Sequence, residues 1–353
     1  MKLHEKYMSR CIQLAKNGLG TTYPNPLVGC VIVVNDKIIG EGWHYKAGEP
    51  HAEVNAISNV KDPELLKEAT IYVSLEPCSH FGKTPPCSHL IISKGIKNII
   101  VGSVDPNPKV AGRGIKKLQD SGCNVISGVL EAQCNELNKR FFTFHRNKRP
   151  FIFLKWAETL NGFIAPKKET RSATTPVWIT NKFSRQLVHK MRSEEMAILV
   201  GTNTVREDNP SLTLREWAGQ NPIRIIIDKE LKLSSKYSVF DGSAETLVFT
   251  SRNAKPPVGL EHPLHYLQID FTKEIASQIC QILYEKGIQS LIVEGGAKTL
   301  ATFITTNLWD EAFIFIGPSQ FGEGISAPTI KGNLVFESNI KKDRILHLKN
   351  FKP

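Results

Sequence analysis

Apolar and polar positions change period along the chain in a way that separates helices from strands. Residues 1–16 place apolar side chains at helical spacing with charges between them, which predicts an amphipathic helix. Thr70 to Leu75 is a short apolar run that stops at Glu76-Pro77 and reads as a buried strand, and Ser88 to Lys94 reads as a helix opening at Cys87. A further amphipathic segment runs from about Leu130 to Thr143. The basic, proline-terminated stretch Phe144-His145-Arg146-Asn147-Lys148-Arg149-Pro150 then ends it, and a new apolar strand begins at Phe151-Ile152-Phe153-Leu154-Lys155-Trp156. Beyond it, strand-like runs recur at 197–201, 223–228, 246–250 and 290–294, with helical stretches at 181–192 and 271–286. Such alternation predicts an α/β sheet in each of two domains, 1–147 and 148–353. Length agrees: 353 residues exceed the roughly 250–300 over which one core normally grows.

Composition narrows the class without fixing the function. No apolar run approaches the length of about 18 residues that a membrane helix needs, and the first residues lack the pattern of a signal peptide, so a cytoplasmic protein without membrane partners is expected. Seven cysteines form no disulfide framework, as in a reducing compartment. A net charge of +11 suits an anionic partner. The charge is diffuse, with Lys61, Lys67, Lys94, Lys97, Lys116 and Lys117 scattered over helix faces. That favours a small anion over nucleic acid, although a nucleic-acid deaminase with an accessory domain stays open as the rival reading.

The candidate chemistry lies in His51-Ala52-Glu53, Pro77-Cys78 and Cys87. Two thiolates and an imidazole fill three tetrahedral positions on Zn²⁺ and leave the fourth for water. The carboxylate that stays off the metal can then shuttle protons during attack on an amino-bearing ring carbon. We place His51 in the first helical turn after Pro50, so that the long Glu53 side chain can reach back towards it. Nucleic-acid deaminases of this chemistry space their two cysteines by two residues, whereas eight intervene here.

The stretch from Pro77 to Cys87, with Tyr23-Pro24-Asn25-Pro26-Leu27-Val28-Gly29, Gly42-Trp43-His44 and Val104-Asp105-Pro106-Asn107-Pro108, resembles the deaminase half of the bifunctional deaminase-reductase family of riboflavin biosynthesis. The second half joins it through Leu154-Lys155-Trp156-Ala157-Glu158-Thr159-Leu160-Asn161-Gly162, Val200-Gly201-Thr202-Asn203-Thr204-Val205 and Asp208-Asn209-Pro210-Ser211-Leu212-Thr213-Leu214-Arg215. The likeness covers nearly the whole chain. It implies an α/β protein with an N-terminal cytidine-deaminase-like α/β/α domain and a C-terminal dihydrofolate-reductase-like α/β domain. It implies deamination of a diaminohydroxy-pyrimidine ribosylamine phosphate to the aminouracil, then reduction of the ribosyl group to a ribityl chain with NADPH. One Zn²⁺ per deaminase site is implied, held by His51, Cys78 and Cys87, with Glu53 as the proton shuttle. Asn25, His80, Lys83 and Asp105 correspond to substrate contacts of that half. In the reductase half, Ala157, Trp178, Thr204, Asp208 and the run Gly296, Ala297, Lys298, Thr299, Leu300, Ala301 and Thr302 correspond to NADPH contacts. Arg192, Leu212, Arg215 and Glu294 correspond to contacts with the phosphorylated substrate. A homo-oligomer is expected, without nucleic acid.

The residues of the second half carry a reading of their own. Val293-Glu294-Gly295-Gly296-Ala297 runs from an apolar strand through glycines into a helix, the kind of turn that lets backbone N–H groups approach a diphosphate. Gly322 to Ala327 fits a Rossmann fingerprint only loosely and is expected to be a loop. Two positions depart from the family pattern. Pro176 stands where a serine is common, and Lys229 stands where some members have a cofactor-binding serine; a lysine there could pair with the 2′-phosphate of NADPH. Lys155, a charge on an apolar strand, is the candidate acid if the reduction uses one, although a phosphate contact or a snorkelling surface lysine accounts for it better.

Overall fold

A computed structural model describes residues 2–79, 85–108, 110–167, 177–251 and 264–351. The chain divides into two compact units, Met1–Lys148 and Arg149–Pro353.

The first unit begins with the amphipathic helix α1 (Lys2–Ala15), followed by β1 (Gly29–Val34) and β2 (Lys37–Trp43), α2 (Ala52–Ser58), β3 (Thr70–Leu75), α3 (Cys87–Ser93), β4 (Asn98–Ser103), α4 (Arg113–Asp120), β5 (Asn124–Ser127), α5 (Glu131–Leu137) and α6 (Lys139–Asn147). Its five strands lie in the order β2-β1-β3-β4-β5; β1 is antiparallel to β2 and β3, while β3, β4 and β5 run parallel. Every residue of β1 is buried, and alternate side chains serve opposite cores. Cys30, Ile32 and Val34 pack with α2, α3 and α4 through Ala56, Ile91 and Leu118, whereas Val31 and Val33 pack with Tyr7, Met8 and Cys11 of α1 and Cys134 of α5. The result is a three-layer α/β/α sandwich. Helix α2 lies directly on the backbone of β2: a Cβ at Gly42 would stand 2.4 Å from the Ala56 nitrogen, so only glycine permits this approach.

The second unit contains β6 (Phe151–Thr159), β7 (Phe163–Pro166), α7 (Lys182–Glu194), β8 (Ala197–Gly201), α8 (Thr202–Asp208), β9 (Ile223–Ile227), β10 (Thr246–Ser251), β11 (Leu264–Ile269), α9 (Ile275–Glu285), β12 (Ser290–Gly295), α10 (Ala297–Thr305), β13 (Glu311–Gly317), β14 (Gly324–Ser326), β15 (Asn333–Ile340) and β16 (Asp343–Lys349). Nine strands form one sheet in the order β11-β10-β9-β8-β12-β6-β13-β16-β15. The first seven are parallel; β16 runs antiparallel to β13, and β15 antiparallel to β16. One face packs on α9 and α10 through Ile279, Leu283, Leu300 and Phe303; the other packs on α7 and α8 through Val188, Met191 and Val205. Burial on both faces explains why the central strands read as unbroken apolar runs instead of alternating ones. The buried Arg149 guanidinium grips Asp310 through two bonds of 2.6 Å, and Asp310 also accepts from the Ile152 N–H at 2.8 Å, which ties the start of β6 to the start of β13.

Two expectations need correction. Gly324–Ser326 is a short strand, not wholly loop, because its backbone groups pair with β7. His51 is the N-cap of α2, not a residue of its first turn: its backbone is extended (φ −71°, ψ 165°). That conformation frees the imidazole from the helical repeat, so its direction relative to Glu53 is set by the preceding chain.

Candidate functional site

In the first unit the three proposed ligands converge. The His51, Cys78 and Cys87 ligand atoms all lie within 4.8 Å of one another, and no other such group of three occurs among the described residues. The His51 Nδ1 is 3.4 Å from the Cys87 Sγ and 3.7 Å from the Cys78 Sγ. A tetrahedral zinc with ordinary Zn–S and Zn–N bonds has S···N edges of about 3.5 Å, so the cluster fits that ion in both donor type and spacing. The chain ends that carry the cysteines are locked together: the Cys87 N–H donates to the Cys78 Sγ at 3.3 Å, and the Ser88 N–H donates to the Cys78 carbonyl at 3.1 Å. Hydrogen bonding from the Cys87 thiol, then from His51, draws Cys78 down to about 4, and the shared proton holds Cys87 well up.

Glu53, in the first turn of α2, is only 3% exposed. Burial pushes its carboxyl up to about 7, partly offset by the His51 charge. A carboxyl poised there can both hold and release a proton at neutral pH.

Two buried groups to which the sequence analysis gave no role shape the rest of this site. The His44 Nδ1 lies 3.1 Å from the Pro50 carbonyl and must therefore carry the proton, so its Nε2 accepts from the Asn25 Nδ2 at 3.0 Å. That fixes the Asn25 amide with its Oδ1 left as an acceptor. Glu76, 4% exposed, accepts four backbone N–H bonds, from Asp105 (3.2 Å), Gly112 (2.8 Å), Gly114 (2.8 Å) and Ile115 (3.3 Å). It thereby binds the Asp105 loop to the strand end that leads into Cys78. Asp105 is itself buried, and burial lifts its carboxyl to about 6 against a hydrogen bond from the Asn107 N–H. His80 and Lys83 lie outside the described residues.

In the second unit a cavity of about 1270 Å³ opens at the C-terminal ends of the parallel strands β6, β8, β9 and β12. Ligand sites of open α/β sheets occur at these ends. Ala157, Trp178, Thr204, Asp208, Gly296, Ala297, Lys298, Thr299, Leu300, Thr302, Arg192, Leu212, Arg215 and Glu294 all line it. Ala301 is not among the lining residues. The strand-to-helix turns after β8 and β12 nearly touch: a Cβ on Gly201 would meet the Thr299 Oγ1 at 2.6 Å. Trp178 is 59% exposed and braced by the Arg185 guanidinium, 4.4 Å from its ring centroid.

At one side of the cavity stands a charged trio that is nearly buried. The Arg192 Nε and Nη2 donate to Glu294 at 2.7 and 2.8 Å, and the Lys155 Nζ stands 3.5 Å from the same carboxylate. Burial would raise the Glu294 carboxyl, but Arg192 and Lys155 outweigh it and hold it at about 2. Much of the Arg192 fork is thus spent on Glu294, which leaves the exposed Arg215 as the freer guanidinium. Lys155, read from sequence as a possible acid, is paired with Glu294, and burial loosens its proton. Lys229 lines the cavity rim, its Nζ 5.8 Å from the Phe271 ring centroid; Pro176 lies outside the described residues.

The two units match two family models: the cytidine and deoxycytidylate deaminase zinc-binding region over residues 1–103, and the RibD C-terminal domain over residues 150–351. The riboflavin biosynthesis protein RibD of Aquifex aeolicus is 40% identical over 351 residues, covering 98% of this chain and 96% of its own; that of Bacillus amyloliquefaciens is 41% identical over 343 residues, covering 95% and 90%. A crystal structure of a diaminohydroxyphosphoribosylaminopyrimidine deaminase/5-amino-6-(5-phosphoribosylamino)uracil reductase from Thermotoga maritima superposes with a TM-score of 0.88 at 39% identity, and Acinetobacter baumannii RibD with 0.89 at 31%, each covering 99% of both chains. The zinc-binding cluster of one unit, the reductase-type cavity of the other and these full-length likenesses place the chain in the RibD family of bifunctional deaminase-reductases of riboflavin biosynthesis.

Proposed function

We propose that the first unit deaminates a phosphorylated diaminopyrimidine ribosylamine to its aminouracil and that the second reduces the ribosyl group of that product to a ribityl chain. The observation that carries this reading is the buried Glu53 carboxyl beside three soft ligands of zinc spacing. His51, Cys78 and Cys87 would hold the zinc, which would lower the pKa of a coordinated water towards roughly 7 and so supply a nucleophile at neutral pH. The remaining work belongs to the chain. Glu53 takes one proton from the attacking water and passes it to the ring nitrogen, then takes a second from the hydroxyl left on the ring carbon and passes it to the amino group, which departs as ammonia while the carbonyl forms. Asn25, fixed by His44, offers its Oδ1 to the ring edge, and Glu76 holds Asp105 in place. In the second unit NADPH supplies hydride, and the protein's part is to position and to exclude water. Thr204, Asp208, Gly296 to Leu300 and Thr302 form the cofactor wall, while Arg192, Leu212, Arg215 and Glu294 face the substrate. Incubation with the diaminopyrimidine phosphate, with and without NADPH, reads both steps as ammonia release and NADPH oxidation. Ammonia without any NADPH consumption would overturn the two-step reading.

Cofactor choice belongs to the same reading. The Asp228 carboxylate is spent on Thr202, Lys232 and Leu233, which fixes the turn that carries Lys229 to the cavity rim. We expect Lys229→Ala to raise KM for NADPH several-fold and to leave KM for NADH unchanged; an unchanged ratio of the two would refute a 2′-phosphate contact.

No helix among the described residues is long and apolar enough to cross a membrane. A cytoplasmic location fits an enzyme that draws on NADPH and needs Cys78 and Cys87 reduced. A homo-oligomer is supported by the edge strand β15, where Leu334, Val335 and Phe336 are 56%, 47% and 44% exposed in succession. Sedimentation of the full chain is expected to give a multiple of 39.4 kDa, and a monomer would remove this part of the proposal.

A further inference from the structure

Helix α7 sends two polar side chains towards the reductase cavity one turn apart, His189 and Arg192. Arg192 is taken up by Glu294. His189, 5% exposed, has a different partner: its Nδ1 accepts the backbone N–H of Arg215 at 3.3 Å. Arg215 ends a loop that is otherwise anchored upstream. Leu212 is buried with φ +57°, the Arg224 Nη1 donates to the Ser211 carbonyl at 3.4 Å, and the Leu214 N–H donates to the Asn221 Oδ1 at 2.9 Å. At Arg215 itself, the main chain is held by His189 and the guanidinium by the Ser211 Oγ at 2.7 Å. The two contacts hold the two ends of the Arg215 side chain, and His189 supplies the one at the main chain.

We infer that His189 is a positioning residue of the reductase half: by accepting the Arg215 N–H it aims the Arg215 guanidinium at the phosphate of the substrate. The role requires an unprotonated Nδ1, and the surroundings keep it so. Burial first, then the positive charges of Arg192 and Arg215, lower the imidazole to about 4, with Glu216 and Glu294 opposing weakly, so the ring is neutral at pH 7 with its proton on Nε2.

The inference rests on the reductase reading of the cavity, and the experiment separates the two. Steady-state reduction of the phosphorylated aminouracil is compared in the zinc-loaded full-length protein and in His189→Leu, His189→Asn and His189→Gln. The wild-type rate tests the reading itself; the pattern among the variants tests His189. An Asn side chain places its Oδ1 where Nδ1 stood, whereas Gln places its amide where Nε2 stood. His189→Leu and His189→Gln should raise KM for the phosphorylated substrate roughly tenfold, the effect of one lost hydrogen bond that orients a charged group. KM for NADPH and the deamination rate should not move, and His189→Asn should restore most of the lost affinity. The same variants tested on the dephosphorylated riboside should differ little from wild type. Wild-type KM in His189→Leu would overturn the inference. So would rescue by Gln in place of Asn, which would make His189 a direct donor through Nε2, and so would an equal penalty in all three variants, which marks a packing role only.

Discussion

Deamination in Glu53→Gln should fall by about 10²- to 10⁴-fold, with zinc content unchanged. The carboxamide keeps the volume of a side chain that is 3% exposed and so preserves packing around α2, but it cannot carry a proton back and forth. Glu53 is not one of the three clustered ligand residues, so metal analysis should show zinc retained, in contrast with Cys87→Ala, which removes a ligand and should lose it. Reduction of supplied aminouracil phosphate should be unaffected in both, because those residues lie in the first unit and the cavity belongs to the second. Ammonia release from Glu53→Gln at the wild-type rate would remove the proton-shuttle assignment while leaving the zinc assignment standing.

The largest expected effect on stability comes from Glu294→Leu. In the native protein one buried carboxylate balances Arg192 and Lys155. Leucine removes the counter-charge and leaves two cations nearly buried, so the cost is set by uncompensated desolvation more than by the lost attraction, about 3–5 kcal/mol for breaking a buried pair from one side. Four of the five tryptophans, Trp156, Trp178, Trp217 and Trp309, belong to the second unit, so urea unfolding followed by tryptophan fluorescence reports chiefly on it. Linkage adds a pH signature. Glu294 is held at about 2, below its ordinary range, so its ionisation stabilises the fold above the unfolded value of about 4.3 and the contribution is lost as pH falls towards 2. The stability gap between wild type and Glu294→Leu should therefore be full at pH 7 and shrink between pH 4 and 2. A gap independent of pH over that range would mean that the ionised carboxylate is not what holds Arg192 and Lys155.

Much of the architecture is legible in the sequence because single elements carry strong local signals. Thr70–Leu75 and Ala197–Gly201 are bounded as their apolar runs predict, since strands buried on both faces are mostly apolar from end to end. Helix α7 starts after Asn181, whose Oδ1 accepts from the Phe183 and Ser184 N–H groups as an N-cap should. Phe271–Lys286 is less well bounded, for α9 begins only at Ile275, where Glu274 caps it through the Ser277 N–H. Local spacing could not foresee Gly324–Ser326 as a strand, because its pairing partner, β7, is more than 150 residues away in the chain.

The sequence by itself determined the chemistry at hand: a histidine, a glutamate and two cysteines whose eight-residue separation points away from nucleic acid, and a glycine turn between strand and helix with arginines nearby. Those features are local, and residue type alone limits what they can do. What only the tertiary structure decided is how each group is charged, aimed and held. Burial places Glu53 near 7, Glu294 occupies the fork of Arg192, and His44, Glu76 and His189 act through partners distant in sequence. Each of these depends on desolvation or on a contact between separate elements, and neither exists until the chain has folded.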